Sequence, residues 1–127
     1  MKILLVEDDK FLRTLLEKKL INEGFEVVTA VDGEEAINKI VSENIDLILL
    51  DIILPRKSGF AVLEEISRDE NFKKIPVFVI SNLGQKEDIE KAKKYGVVNY
   101  FVKAGLSLEE LIKKIKDFAQ NLITAKI

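Results

Sequence analysis

The 127-residue chain is 47% hydrophobic and 33% charged, the composition of a single globular domain built on one core. Its net charge of −2 comes from 22 acids and 20 bases interspersed along the sequence, so no basic block offers a footprint for nucleic acid. Cysteine and histidine are both absent, which excludes disulfides, thiolate or imidazole metal sites and Ser-His-Asp triads, and leaves carboxylates, lysines, hydroxyls and backbone groups to carry any chemistry.

The first apolar run, Ile3 to Val6, reads as a strand and breaks at once into Glu7, Asp8 and Asp9, a start too short and too acidic for a signal peptide. A helix is expected over 10–23, with Asp9 as its cap and Gly24 as a left-handed stop. Phe25 to Val31 is a second strand, after which Asp32 and Glu35 have capping-box spacing for a helix over 33–43. The turn residue Asp46 precedes a third strand, Leu47 to Leu50, which ends at Asp51. A carboxylate at the end of such an apolar run requires something to compensate it. A helix over 59–69 leads to a fourth strand, Val77 to Ile80, ending at Ser81, and a helix over 85–95 stops at Gly96. The fifth strand, Asn99 to Val102, ends at Lys103. The final helix, over 107–123, is capped by Ser107 with Glu110 and carries Leu108, Leu111, Ile112, Ile115, Phe118, Ala119, Leu122 and Ile123 on one stripe. No segment is apolar for long enough to cross a bilayer, and a cytoplasmic protein is the expectation.

Most of the strand candidates are apolar on both faces, as buried parallel strands are. Five strands alternating with five helices predict an α/β fold, a (βα)5 doubly wound parallel five-stranded sheet with right-handed crossovers. The flavodoxin-like order 2-1-3-4-5 makes strands one and three neighbours and brings Asp51 beside Glu7 and Asp8 at the switch point, where such sheets bind ligands. Acids that close repel one another unless a cation shares the site, and their hard oxygens suit Mg2+, with a phosphoryl group as a further ligand.

EDD after strand one, DIILP after strand three, Ser81 ending strand four and Lys103 ending strand five resemble, in order and spacing, the receiver domains of two-component response regulators, the CheY-like family. The resemblance covers residues 1–122 and leaves 123–127 as a C-terminal tail, with no output domain expected. It implies a stand-alone receiver in which Asp51 accepts a phosphoryl group from a phosphohistidine on a sensor histidine kinase or phosphotransfer protein. It implies that Asp8 binds Mg2+ directly, that Glu7 holds a metal-bound water, and that the Ile53 carbonyl completes the ligands with Asp51. Lys103 and Ser81 would contact the phosphoryl oxygens. Ser81 and Tyr100 would form a switch that alters the face of helix four, strand five and helix five for a downstream protein target. Neither nucleic acid nor membrane is an implied partner, and apolar residues on helix one and the fourth and fifth units are compatible with a homodimer. Such a protein catalyses its own phosphorylation and dephosphorylation but signals more than it turns over substrate.

The sequence departs from the family in two places. Receivers usually have a proline, joined by a cis peptide, after the strand-five lysine; here Ala104 stands there, and a cis bond before a non-proline residue costs about 3–4 kcal/mol. The bond is therefore either trans or strained, with Gly105 able to absorb an extra residue in the loop. Asn82 replaces a usual small residue, and the two positions that influence hydrolysis in the family are Ile53 and Leu83, neither of which can orient water; slow autodephosphorylation is expected. Three rival readings stand beside this one. A degenerate receiver would bind partners without phosphorylation. An aspartate-nucleophile phosphohydrolase would need a second acid at position 53, and a flavodoxin would need hydroxyl and glycine donors where EDDKF stands.

Overall fold

The computed structural model describes residues 1–125. Five short runs rich in β-branched, leucine or aromatic residues form β1 (Lys2–Val6), β2 (Glu26–Ala30), β3 (Leu47–Leu50), β4 (Val77–Ser81) and β5 (Asn99–Val102). The helices are α1 (Lys10–Asn22), α2 (Gly33–Ser42), α3 (Gly59–Ser67), α4 (Lys86–Lys94) and α5 (Leu108–Ala125). Every strand pair is parallel and the sheet order is β2-β1-β3-β4-β5, the flavodoxin-like (βα)5 arrangement expected from the sequence.

The central strands are largely apolar because both faces of the sheet are covered, and successive side chains alternate between them. Leu4, Val6, Ile48, Leu50, Val77 and Val79 pack toward α2, α3 and α4, against Ala36, Ile40, Val62, Leu63, Ile66 and Ala92. Ile3, Leu5, Leu47, Leu49, Phe78 and Ile80 pack toward α1 and α5, against Leu16, Leu20, Leu111, Ile112 and Ile115. Phe78 anchors this second layer, its ring edge-on to Phe118 at 5.3 Å between centroids and tilted to Phe101 at 6.1 Å.

Local chemistry sets the helix ends. Asp9, Asp32 and Ser107 cap as expected: their side-chain oxygens accept the N–H groups of Leu12 (3.0 Å), Glu35 (2.8 Å) and Glu110 (3.3 Å). Ser58, not singled out in the sequence, does the same for α3 by accepting from Ala61 at 3.1 Å. Gly24 and Gly96 stop α1 and α4 with φ of 93° and 82°, as their positions predict. Asp46 does more than turn the chain, since its carboxylate accepts the Lys2 backbone N–H at 2.7 Å and ties the start of β3 to that of β1. The last helix continues through Ala125, so the first residues of the expected tail 123–127 are helical; residues 126–127 of that tail lie outside the described residues.

Candidate functional site

The ladder of the sheet carries past its strand ends and pins the backbone of the residues that follow. Glu7 N–H donates to Ala30 O (3.0 Å), Asp51 N–H to Val6 O (3.1 Å), and Lys103 N–H to Ser81 O (2.8 Å). Because Val6 pairs with Leu50, the next residues, Glu7 and Asp51, leave adjacent strands side by side. One carboxylate oxygen from each of Glu7, Asp8 and Asp51 lies within 4.8 Å of the others. Glu7 and Asp51 are only 2% and 4% exposed, whereas Asp8 faces solvent.

Lys103 closes the cluster from β5. Its Nζ lies 2.7 Å from Asp51 Oδ2 and 2.8 Å from Glu7 Oε1. Burial, the largest influence on each group, pushes the Glu7 carboxyl above its ordinary value against the pull of Lys103 and of the Asp9 N–H. For Lys103 burial acts downward, but the hydrogen bonds and charges of Asp51 and Glu7 together outweigh it and hold the ammonium above its usual range. The remaining carboxylate oxygens are used as well: Glu7 Oε2 accepts the Asp9 N–H (3.1 Å) and Asp51 Oδ1 accepts the Ile53 N–H (3.1 Å). Three converging acids, two of them buried, are a hard-oxygen set that fits a divalent cation such as Mg2+.

Ser81 is fully buried at the end of β4, where its Oγ accepts the Leu83 N–H at 3.3 Å. On β5, one position before Phe101, the Tyr100 hydroxyl donates to the Leu83 carbonyl, so it is tied to the β4–α4 loop and does not simply face water. Burial, then the charges of Asp88 and Asp51, push the Tyr100 phenol up, and the Ser81 hydroxyl acts the other way.

The family model for the response regulator receiver domain matches residues 3–116. The chain belongs to that family. It is 36% identical over 116 residues to the Response regulator RR06 of Streptococcus pneumoniae, an alignment covering 91% of this chain and 52% of the relative. It is 35% identical over 115 residues to the Transcriptional regulatory protein CpxR of Escherichia coli, covering 91% of this chain and 47% of the relative. Among solved structures, a two-component response regulator from Clostridium difficile superposes with a TM-score of 0.88 at 31% identity, over 96% of this chain and 98% of that one. The chain spans about half the length of the curated relatives it matches, so the expected absence of an output domain is a statement about these 127 residues alone.

Of the residues expected to act in this receiver, Glu7, Asp8, Asp51 and Lys103 meet in one cluster, and Ser81 sits beside the strand that delivers Lys103. The two open conformations of the Lys103–Ala104 bond resolve to trans, since no peptide bond among the described residues is cis. Lys103 nonetheless reaches Asp51 because its N–H is already fixed on Ser81 O, and Gly105, at φ 81°, takes up the irregular loop beyond it. Ile53 is 54% exposed, while Leu83 packs its side chain against the core layer under α4. Asn82 is exposed.

Three supporting residues escaped the sequence reading. Arg13 donates from one guanidinium nitrogen to the backbone carbonyls of Glu7 (2.9 Å) and Asp8 (3.2 Å), holding the acidic loop. Gly59 packs against the end of β3 so closely that a Cβ there would stand 2.4 Å from the Asp51 carbonyl oxygen, and a Cβ on Gly33 would stand 2.0 Å from that of Lys57. The available signal was that α2 and α3 both begin with glycine, a residue disfavoured in helices and kept where backbone must approach closely.

Proposed function

We propose that this receiver takes a phosphoryl group onto Asp51 from a phosphohistidine of a sensor histidine kinase or phosphotransfer protein. The observation that carries the reading is the placement of Lys103, which bridges Asp51 and Glu7 inside the three-acid cluster. An Asp51 carboxylate oxygen forms the new O–P bond while the P–N bond to the donor imidazole breaks, the electron pair leaving with the imidazole nitrogen. Glu7 through a water, Asp8, Asp51 and the Ile53 carbonyl would hold Mg2+, which supplies charge neutralisation on the phosphoryl oxygens when bound. Lys103 supplies a second cation to those oxygens. Ser81 keeps its own proton to donate to them, because its oxygen serves as acceptor for Leu83. The reading makes the protein a signalling switch, with Ser81, Leu83 and Tyr100 linked in one chain of contacts toward α4 and the downstream protein target.

The phosphorylation-independent alternative rested on an altered Lys103 loop, and the retained Lys103–Asp51 contact favours the phosphoacceptor reading over it. Incubation with Mg2+ and a small acyl phosphate should add a single phosphoryl mass that Asp51→Asn abolishes. Absence of the adduct supports the degenerate receiver instead, and rapid turnover of the donor supports a phosphatase. Slow loss of the adduct is the corollary, since the exposed apolar Ile53 and the core-facing Leu83 offer an attacking water no hydrogen bond. Ile53→Asn should speed the decay several-fold, read by intact mass over time.

A further inference from the structure

Residues 51–58 connect β3 to α3 and carry both Asp51 and Ile53. Midway, Arg56 adopts φ 67° and the Lys57 N–H donates to the Pro55 carbonyl at 2.8 Å, which makes a three-residue γ-turn around a non-glycine residue. Such a conformation persists only where the surroundings enforce it. The surroundings here are the amino end of α2. The Lys57 carbonyl lies on Gly33, where a Cβ would come within 2.0 Å of its oxygen and 2.7 Å of its carbon. Arg56 Nε lies 3.4 Å from Asp32 Oδ2, and its Nη1 lies 3.9 Å from Glu34 Oε2. Asp32 is itself fixed, since Oδ1 caps α2. At the far end, the Gly59 N–H donates to the Ile52 carbonyl at 2.8 Å, so movement of the turn is passed back to the residues flanking Asp51.

We propose that the amino end of α2 is a brace for the phosphoacceptor loop, with Gly33 and Arg56 as positioning residues for the metal and phosphoryl site. The inference rests on the function proposed above and extends it to residues on another element. A side chain at position 33 displaces the Lys57 carbonyl, the strained turn relaxes away from α2, and the backbone around Ile53 and Asp51 loses its register with Asp8 and Glu7.

The test is Mg2+ affinity of the unphosphorylated chain by isothermal titration calorimetry, with thermal unfolding in the absence of metal recorded in parallel. Gly33→Ala should weaken Mg2+ binding by about tenfold, the usual loss when support for a metal shell is removed. Arg56→Ala should weaken it by about threefold, in keeping with a largely exposed ion pair. This second variant separates position from charge: removing a cation near an acidic pocket tightens Mg2+ binding if only the field matters, and loosens it if the brace matters. Gly24→Ala, at a glycine of positive φ with no neighbour within 4 Å of the added Cβ, should lower the melting temperature and leave Mg2+ affinity unchanged. A folded Gly33→Ala variant with wild-type affinity, or an Arg56→Ala variant that binds Mg2+ more tightly, overturns the brace. If Gly33→Ala does not fold, Arg56→Ala decides. A wild-type chain that takes up no Mg2+ overturns the proposed function itself, and the inference with it.

Discussion

Lys103 stands between two carboxylates that are almost wholly buried, and its ammonium is the positive charge set against both. Removing one partner of such a set leaves uncompensated charge, which costs more than the interaction itself contributes. Lys103→Met should therefore lower metal-free stability by roughly 2–3 kcal/mol, toward the low side for a buried set because the lysine keeps some contact with solvent. Chemical denaturation should show a smaller loss in millimolar Mg2+, since a bound cation restores the missing positive charge and stabilises by mass action. A loss that is the same with and without Mg2+ would show that Lys103 supports the fold at a point unrelated to the metal site. The positions of Glu7, Asp8, Asp51, Ser81 and Lys103 follow from strand ends and were legible in the sequence. Tyr100 was less so, because its hydroxyl partner is a backbone carbonyl, and a carbonyl carries no sequence signature.

At the scale of elements, the five helices are not held alike. α4 buries only Ala92, has at its N-cap Gln85, which makes no side-chain capping bond, and has Lys91 laid over the Phe60 ring of α3 at 4.3 Å as a lateral tie. A helix with few apolar contacts opens at low free energy, so its amides should exchange fastest of the five helices by hydrogen–deuterium exchange. Lys91→Ala should accelerate α4 exchange further and leave α2 and α3 unchanged. α5 is held differently, through Leu111, Ile112 and Ile115 and through Phe118 against Phe78. Truncation of Phe78 to alanine should cost about 3–5 kcal/mol in urea or thermal unfolding, the range for a fully buried aromatic. Its 0% exposure leaves no solvent-side route for the neighbouring side chains to relax. Helix spans read from the sequence hold to within one or two residues of those observed, because capping residues and terminal glycines act locally.

For the whole molecule, the acidic cluster couples cation binding to folding, since the cluster exists only where β1 and β3 lie side by side. At a Mg2+ concentration tenfold above its dissociation constant the folded state gains about 1.4 kcal/mol. For a chain of this size that should raise the melting temperature by roughly 4–7 °C, read by circular dichroism. Asp8→Asn should abolish most of the increment, because it removes the most solvent-accessible of the three acids while leaving the buried pair with Lys103 intact.

Alternating β and α segments, strands apolar on both faces and polar residues waiting at their ends pointed to the fold class and the sheet order, and to the acids and the lysine that gather at one edge of the sheet. Each of these depends on periodicity and on topological rules that operate on short stretches of chain. Tertiary structure alone decided how the pieces bear on one another. That Gly33 must be bare because the Lys57 carbonyl rests on it, and that Gly59 must be bare because the Asp51 carbonyl rests on it, both depend on backbone approaching backbone. Such contacts join atoms that every residue possesses, and for that reason they leave almost no mark in the order of side chains.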